Sequence, residues 1–389
     1  MPVIASYKRT AFGRLLGGLS SLSAMQLGSQ SIRAALESAG ISPSDVDCVV
    51  GGQVLQAGQG QNPIRQSGFG AGIGLHVPQI TLNGVCVSGM EAVSQGMRLI
   101  ALGEASVVVC VGQESMSTAP HVLKHSRTGR KYGAMEILDS LEIDGLTDAL
   151  SNQSMGYQTD LGNAELGISR LEQDSVAVQS HLRASKNQIF IALEITPITI
   201  VSRGGEVTIK TDEGVRERAS IESVSALRPA FDSQGSITAA NASPISDGAA
   251  ALVLLSDAEA MRRGVKGIAS VESYALTAGP TTALHSQPSQ AILKALQPLG
   301  LLADSMAAIE INEAFASVAI QSARDLGVSL DVVNPMGGAI ALGHPIGASG
   351  ARIVGSLALQ LARLGPNKYG AAGICGGGGQ GAAVILKSL

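Results

Sequence analysis

Strand patterns alternate with helix patterns along this chain, and this alternation constrains the fold more than any other feature of the sequence. Residues 22–39 carry apolar side chains at helical spacing and end before Gly40, and an apolar run of strand length follows at 46–50. Residues 87–102 repeat the helical spacing, and the apolar run 106–111 follows them. This rhythm predicts an α/β fold with a mainly parallel sheet that is covered by helices on both faces.

The second half of the chain resembles the first. Residues 34–50 are similar to residues 294–310, and the dipeptide Ser88-Gly89 aligns with Ser349-Gly350 at nearly the same offset. Each dipeptide precedes a predicted helix, and each helix precedes a strand that contains a cysteine. Unrelated strand–helix–strand units also look alike, but the shared offset favours an internal duplication. We therefore expect two similar halves that pack about a pseudo-twofold axis.

The residues between these halves differ from both of them. The segment 117–245 includes the basic run 121–131, together with polar helix and short strand patterns. We expect an N-terminal half (1–116), an inserted loop domain (117–245) and a C-terminal half (246–389). Inserted loops of this kind often carry substrate contacts, and this insert is expected to contribute to an oligomer interface as well.

Charge and cysteine content exclude several classes of protein. The net charge of -4 gives no reason to expect nucleic-acid binding, and no run approaches the roughly 18 apolar residues of a membrane span. The four cysteines form no CxxC pair, which argues against a disulfide framework and against a metal site. No signal-peptide core follows the first basic residues, so a cytoplasmic location is expected.

A cysteine at a glycine-flanked turn is the first candidate for chemistry. Cys86 lies in the segment Asn83-Gly84-Val85-Cys86-Val87-Ser88-Gly89, directly before a predicted helix. The N–H groups and the dipole of a helix N-terminus stabilise a thiolate, so this position predicts a lowered pKa and a nucleophilic sulfur. A structural cysteine at a strand–helix corner is an equally good interpretation of this segment alone.

Three other segments contain candidate partners for that thiol. His344 lies close to the repeat counterpart of Cys86, so the pseudo-twofold axis would bring an imidazole base to the sulfur. Cys375 precedes four successive glycines (376–379), whose backbone N–H groups could form an oxyanion hole. Asn312 follows an apolar strand and could hold a water molecule or a carbonyl oxygen. The alternatives are a core histidine, a flexible glycine linker and an ordinary helix start.

Taken together and in this order, these segments resemble the thiolase family. The resemblance extends over essentially the whole chain and implies a thiolase-like fold of layered α/β/α/β/α type, with two βαβ-rich halves and an inserted loop domain. The further segments that carry it are Arg9-Thr10-x-Phe12-Gly13, Gln61-Asn62-Pro63-x-Arg65-Gln66, Asp144-Gly145-Leu146-x-Asp148-Ala149, Ile168-Ser169-Arg170, Leu227-Arg228-Pro229-Ala230-Phe231 and Asn241-Ala242-Ser243-x-x-x-Asp247-Gly248-Ala249-Ala250.

The resemblance implies a role for each candidate residue. Cys86 would accept the acyl group from one coenzyme A thioester, and His344 would take the proton of Cys86 and contribute to a first oxyanion hole. Cys375 would remove the α-proton of a second acyl-CoA, or return it in the cleavage direction. Asn312 would hold the water that completes the first hole, and the N–H groups of Cys86 and Gly377 would form the second. Contacts with coenzyme A would come from Arg216, Ser223, Ala239, Ser243, Ala314 and Phe315.

The implied reaction is the reversible Claisen condensation of two acetyl-CoA to acetoacetyl-CoA and free coenzyme A, a step of lipid metabolism. Acyl-CoA enters as substrate, and neither a metal nor a resident cofactor is expected. A homodimer or homotetramer is expected. The nearest alternative is a 3-ketoacyl-CoA thiolase of broader chain length. A decarboxylating ketosynthase would place a second histidine where Asn312 stands, and a non-catalytic thiolase-like binding protein would be expected to lose Cys86 or His344.

The chain also departs from the family pattern near the expected acyl and pantetheine positions. Ser154 stands where some biosynthetic thiolases carry a substrate-contacting histidine, and Gly376 replaces a bulkier residue. The segments Leu284–Pro288 and 334–337 also differ from the usual sequences. These departures leave the preference for acyl chain length open.

Overall fold

The computed structural model describes residues 2–202 and 205–389. Its strands are β1 (Pro2–Thr10), β2 (Gly13–Arg14), β3 (Cys48–Gly52), β4 (Gln79–Leu82), β5 (Val107–Ser115), β6 (His121–Leu123), β7 (Ile137–Asp139), β8 (Thr147–Asp148), β9 (Gln153–Ser154), β10 (Ile195–Thr196), β11 (Ile198–Ser202), β12 (Gly205–Ile209), β13 (Ser246–Ser256), β14 (Ala269–Ala278), β15 (Ala308–Ile311), β16 (Tyr369–Gly376) and β17 (Gln380–Ser388). Its α-helices are α1 (Ala24–Ala39), α2 (Pro63–Gly70), α3 (Ser88–Ala101), α4 (Met155–Glu165), α5 (Arg170–Lys186), α6 (Gln188–Ala192), α7 (Ile221–Ser225), α8 (Asp257–Arg263), α9 (Gln287–Leu296), α10 (Ala316–Leu326), α11 (Ala339–Leu342) and α12 (Ser349–Leu364).

Local sequence signals set the ends of these elements. The first predicted helix, 22–39, is α1, and it begins after Ser23 because Ser23 and Gln26 form a reciprocal capping box. It ends at Gly40, which adopts the left-handed conformation with φ of 66°. The predicted helix 87–102 is α3, and the two predicted strands after these helices are β3 and β5.

The described strands include an 11-stranded mixed sheet, whose main path runs β15-β16-β17-β14-β1-β13-β5-β3-β4. The prediction of a mainly parallel sheet is wrong. The β3–β4, β3–β5 and β15–β16 pairs are parallel, but the pairs at the centre of the sheet are antiparallel. A glycine turn joins β16 directly to β17, and such a short connection permits only an antiparallel pair. β13 enters from the preceding segment and pairs antiparallel with both β1 and β5.

The order of the strands has the symmetry that the internal repeat predicts. From the junction between β1 and β14, one side reads β1-β13-β5-β3 and the other reads β14-β17-β16-β15. β5 contains Cys110 and β16 contains Cys375, and they occupy the same place on the two sides. Strand pairing therefore groups β13 with strands of the N-terminal half, whereas the domain boundaries at 116 and 245 stay a prediction.

Helices α3 and α12 lie between the two halves of the sheet and bring the repeated segments together. Both helices pack on strands of both halves within one large apolar core. Their N-terminal ends touch backbone to backbone, because a side chain at Gly89 would approach the Gly347 carbonyl oxygen to 2.7 Å and the Ala351 nitrogen to 2.8 Å. Gly350 faces the backbone of Met90 in the same way. Helix α1 covers strands of the first half and α9 covers strands of the second half, each on the face of the sheet that is turned away from α3 and α12.

The segment between the halves is tied to the N-terminal strand by a buried cluster of charges. The Arg9 guanidinium contacts Glu194 at 2.8 Å and Asp212 at 2.7 Å. Removal of either acid would leave a buried cation incompletely paired, which is strongly destabilising. Among the described residues, no helix is long and apolar enough to cross a membrane.

Candidate active site

An apolar cavity of about 320 Å³ opens at the N-terminal ends of α3 and α12. Cys86, His344 and Cys375 all line it, and so does Gly377. The structure therefore brings together four residues that lie in three separate segments of the sequence.

The turn that carries Cys86 is held in a conformation that its sequence disfavours. Val85 has φ of 54°, which is rare for a β-branched residue and stores strain next to the thiol. The Val85 N–H donates to Asn83 Oδ1 at 3.0 Å, and Ser88 Oγ donates to the Val85 carbonyl oxygen at 2.6 Å. Ser88 Oγ also accepts from the Gly84 N–H at 2.8 Å. These hydrogen bonds fix the position of the sulfur at the N-terminus of α3.

The Cys86 thiol is protonated in the free protein. Burial raises its pKa to about 12, although the N–H groups of Gly377 and of Cys86 itself oppose this rise. The prediction of a lowered pKa is therefore wrong, because the loss of water around a buried thiolate outweighs the amides and the helix dipole. A nucleophilic sulfur at this position needs a base to remove its proton.

His344 has the protonation state of such a base. It is buried, and burial together with the positive charge of Arg352 lowers its pKa to about 3, so the ring is neutral near pH 7. Its backbone N–H donates to Ser246 Oγ at 3.2 Å, and its Nδ1 lies 2.6 Å from Ser349 Oγ. A neutral imidazole beside a protonated thiol can accept the thiol proton.

Cys375 and the glycines after it form a tight turn rather than a flexible linker. Cys375 is buried at the end of β16, and burial and the neighbouring Cys86 raise its pKa. Gly378 and Gly379 have φ of 78° and 72°, which lie in the left-handed region that favours glycine. This turn places the Gly377 N–H against the Cys86 sulfur.

Asn312 reaches the same site from the end of β15. Its backbone N–H donates to the Gly373 carbonyl oxygen at 3.0 Å, and its side-chain Nδ2 lies 3.4 Å from His344 Nδ1. The side-chain Oδ1 is buried and has no hydrogen-bond partner among the described residues. A buried amide with a free acceptor suits the predicted role of holding a small polar molecule.

Two buried carboxylates support this site, and the sequence analysis did not identify either of them. Glu313 accepts from Ser180 Oγ at 2.7 Å, from Asn334 Nδ2 at 2.8 Å and from the Ile340 N–H at 3.1 Å. It therefore joins the Asn312 segment to the segment that leads to His344. The available signal was its position beside Asn312, directly after a buried strand.

Glu114 joins two further loops in a similar way. It accepts from the N–H groups of Val54, Leu55 and Gly347 at 3.0, 3.1 and 3.0 Å. Burial raises the pKa of Glu114 to about 7, although these three hydrogen bonds oppose the rise. The signal that could have identified it was an acid within β5, three residues after the apolar run 106–111.

The six predicted coenzyme A contacts fall into two groups. Ser243, Ala314 and Phe315 line the cavity, and the Ser243 N–H and Oγ both donate to the Ala314 carbonyl oxygen at 3.0 Å. The other three are exposed and lie outside the cavity lining; they are Arg216, Ser223 and Ala239. Three of the predicted contact residues therefore lie in the cavity and three lie on the surface, and their contacts with coenzyme A stay a prediction.

Three departures from the family pattern also line the cavity: Ser154, Leu284 and Gly376. The Ser154 side chain caps α4 by accepting from the Tyr157 N–H at 3.2 Å. A second cavity of about 610 Å³ adjoins the first, and both are lined by Val85, Met155 and Gly377. The space around Cys86 thus extends past the Val85 turn.

Comparison with known proteins agrees with this geometry. Residues 2–258 match the thiolase N-terminal domain, and residues 265–388 match the thiolase C-terminal domain. The chain belongs to the thiolase family. The family and the fold predicted from the sequence are therefore confirmed.

Several curated thiolase relatives match over nearly their full length. A probable acetyl-CoA acetyltransferase of Mycobacterium leprae is 46% identical over 391 residues, which cover 100% of this chain and 99% of the relative. An acetyl-CoA acetyltransferase of Cupriavidus necator is 43% identical, with 99% of this chain and 98% of the relative covered. The acetyl-CoA acetyltransferase of Shinella zoogloeoides is 42% identical, with 100% and 98% covered.

Proposed function

We propose that this thiolase is an acetyl-CoA acetyltransferase, which condenses two acetyl-CoA to acetoacetyl-CoA and coenzyme A and also catalyses the reverse cleavage. The observation that carries the proposal is the shared cavity of Cys86, His344 and Cys375. The names of the full-length relatives support the choice of an acetyl group.

The first half of the reaction transfers an acetyl group to the enzyme. His344 accepts the proton of the Cys86 thiol while the sulfur attacks the thioester carbon of acetyl-CoA. The carbon–sulfur bond to coenzyme A then breaks, and the Cys375 thiol gives its proton to the departing coenzyme A thiolate, while His344 keeps the proton of Cys86. The N–H groups of Cys86 and Gly377, which face the sulfur, would stabilise the oxyanion of the tetrahedral intermediate.

The second half forms the carbon–carbon bond. Cys375, as a thiolate, removes an α-proton from a second acetyl-CoA, and the enolate oxygen is stabilised by His344 and by a water held at Asn312. The enolate carbon attacks the acetyl-Cys86 carbonyl, and the acetyl–sulfur bond breaks to release acetoacetyl-CoA and the Cys86 thiolate. That thiolate takes back its proton from His344, and Cys375 keeps the proton that it removed from the second acetyl-CoA, so both cysteines and His344 return to their starting states. Each lost oxyanion donor typically costs about 3–4 kcal/mol.

Mass spectrometry of cysteine variants tests this assignment. Incubation with acetyl-CoA should add one acetyl group to the wild type, and Cys86→Ala should abolish the adduct. Cys375→Ser should retain the adduct but lose condensation. A serine hydroxyl does not give up its proton near neutral pH, so it offers no anion that could remove the α-proton. Cys48→Ala changes a buried cysteine of β3 and serves as the matched control. An acetyl adduct on Cys86→Ala would refute the assignment of Cys86 as the nucleophile.

Thiolysis rates across 3-ketoacyl-CoA chain lengths separate the proposal from a broad-range 3-ketoacyl-CoA thiolase. We expect the highest kcat/KM with the four-carbon substrate. The observation that favours the alternative is the second cavity beyond Val85, which offers room for a longer acyl chain. A rate at eight carbons equal to or above that at four carbons would contradict the acetyl assignment.

We also propose that the enzyme works in the cytoplasm as a homo-oligomer and needs neither a metal nor a resident cofactor. Strand β4 forms one end of the described sheet, and Phe69, Leu75 and Ile80 beside it are exposed. An open strand edge with apolar neighbours favours pairing with a second copy. The hairpin of β6 and β7, with exposed Tyr132 and Ile137, is the candidate surface for a tetramer.

Light scattering after size-exclusion chromatography tests the oligomer. Ile80→Lys should give a monomer, whereas Tyr132→Glu should leave a dimer. Leu102→Lys places the same charge as Ile80→Lys at an exposed leucine away from the proposed interfaces and should leave the oligomer unchanged. A monomeric wild type would refute the proposed assembly.

A further inference from the structure

A serine at the start of α12 makes the shortest polar contact of the candidate base. Ser349 Oγ lies 2.6 Å from His344 Nδ1 and 3.0 Å from the Pro345 carbonyl oxygen, and both Ser349 and His344 are buried. The Asn312 Nδ2 lies 3.4 Å from Nδ1 and 3.5 Å from Nε2, at the outer limit of a hydrogen bond. Ser349 is therefore the neighbour that determines how the imidazole is held.

The two contacts of Ser349 determine where its single hydroxyl proton lies. A carbonyl oxygen can only accept, so the 3.0 Å contact with Pro345 is attractive only when Ser349 donates its proton there. If the hydroxyl donated to His344 instead, two oxygen lone pairs would face each other across that distance. With its proton on the Pro345 carbonyl, Ser349 can only accept from Nδ1–H of His344.

We propose that Ser349 is a positioning residue that holds His344 in the Nδ1–H tautomer and so leaves Nε2 free to accept a proton. The inference rests on the proposed role of His344 as the base for Cys86. When Nε2 gains that proton, Nδ1–H still donates to Ser349, and the ring keeps its orientation. The protonated Nε2 can then stabilise the enolate oxygen without rotation of the side chain.

The counterpart of Ser349 in the first half of the chain makes a different kind of hydrogen bond. Ser88 occupies the matching position at the start of α3, and its hydroxyl binds the backbone of the Cys86 turn at Val85 and Gly84. Ser88 fixes the backbone that carries the nucleophile. Ser349, its counterpart in the other half, fixes the side chain that activates the nucleophile.

The tautomer can be observed directly in the wild-type enzyme. Histidine labelled with ¹⁵N gives two-bond correlations that distinguish Nδ1–H from Nε2–H rings. The chain has six histidines, and the spectrum of a His344→Gln variant identifies the signal of His344 by its loss. We expect the Nδ1–H pattern for His344 in the free enzyme near pH 7. An Nε2–H pattern would overturn the proposal, whether or not any Ser349 variant folds.

Kinetics of variants provide the second test. Ser349→Ala should lower kcat for acetoacetyl-CoA thiolysis by about 10- to 100-fold, with KM changed by less than about threefold, because Ser349 is fully buried and does not line the cavity. Ser349→Thr keeps the hydroxyl and should recover most of the rate. Ser356→Ala removes another buried hydroxyl two turns along α12 and should retain wild-type kcat.

Alkylation of Cys86 by iodoacetamide isolates the proton transfer from the later steps. Its rate should fall in Ser349→Ala and stay unchanged in Ser356→Ala. If His344→Gln slows this reaction but Ser349→Ala does not, the inference on Ser349 fails and the proposed function stands. If His344→Gln itself leaves acetylation of Cys86 and turnover intact, the proposed role of His344 fails.

Discussion

The contact between α3 and α12 gives a quantitative prediction that joins stability to catalysis. Gly89→Ala adds one methyl group at the point where the two helices meet. Its Cβ would lie 2.7 Å from the Gly347 carbonyl oxygen, whereas ordinary van der Waals contact begins at 3.4 Å. The obstacle is the backbone of α12 and of the turn before it, and not the end of a flexible side chain. The helices must therefore separate by roughly 0.7 Å, the difference between these two distances.

Two opposing terms determine the change in stability. Glycine-to-alanine substitution inside an unstrained helix stabilises a protein by roughly 0.5–1 kcal/mol. Overpacking of a close contact costs about 1–3 kcal/mol, so we expect a net loss of about 1–2 kcal/mol. The larger effect is on catalysis, because the shift separates the Cys86 turn from the His344 segment. A displacement of 1 Å can cost about 100-fold in rate, so kcat should fall by roughly 10- to 100-fold.

The assay compares urea-unfolding midpoints and thiolysis kcat in Gly89→Ala and Leu359→Ala. Leu359 is half-buried on α12, away from the crossing point, and its truncation should cost about 1–2 kcal/mol. The control therefore loses a similar amount of stability without moving the catalytic groups and should keep its kcat. A kcat of Gly89→Ala within twofold of the wild type would refute the reasoning, and so would a more stable Gly89→Ala.

Two pH dependences follow from the buried groups. Because the pKa of His344 is lowered to about 3, the base is neutral over pH 5–8, and kcat/KM should show no fall from its protonation in that range; an acidic limb with a midpoint near 6.5 would contradict this. Burial raises the pKa of Glu114 from 4.5 to about 7, so the folded state holds that proton more tightly than the unfolded state. Its contribution is complete below pH 4.5 and is lost as the pH rises through 7, by about 3 kcal/mol. Between pH 4.5 and 8, the unfolding free energy of the wild type should therefore fall relative to that of Glu114→Gln by up to this amount. The same pH dependence of urea unfolding in both proteins would contradict this prediction.

Short-range signals in the sequence were sufficient to predict individual elements. The α1 prediction agreed with the structure because apolar spacing, the Ser23 cap and Gly40 act within a few residues of each other. The pairing of strands was not predicted, because the direction of each pair depends on segments that are distant in sequence. β13 pairs with β1, although the paired residues Ala250 and Arg9 lie 241 positions apart in the sequence.

The same distinction between short-range and long-range signals holds for the residues of the candidate site. The sequence identified Cys86, His344, Cys375 and Asn312 because each lies in a distinctive short segment. It did not identify Glu114, whose three partners come from two loops, nor the tautomer of His344, which depends on the Ser349 hydroxyl.

What the sequence determined by itself is the set of chemical groups, the repeat that pairs them and the family to which they belong. The tertiary structure alone decided their state. Cys86 stands before a helix, and that position by itself predicts a thiolate, but folding removes the water around it and keeps the thiol protonated. The same loss of water keeps His344 neutral and able to take the proton. A pKa is set by everything that surrounds a group in space, and those surroundings exist only once distant segments have packed together.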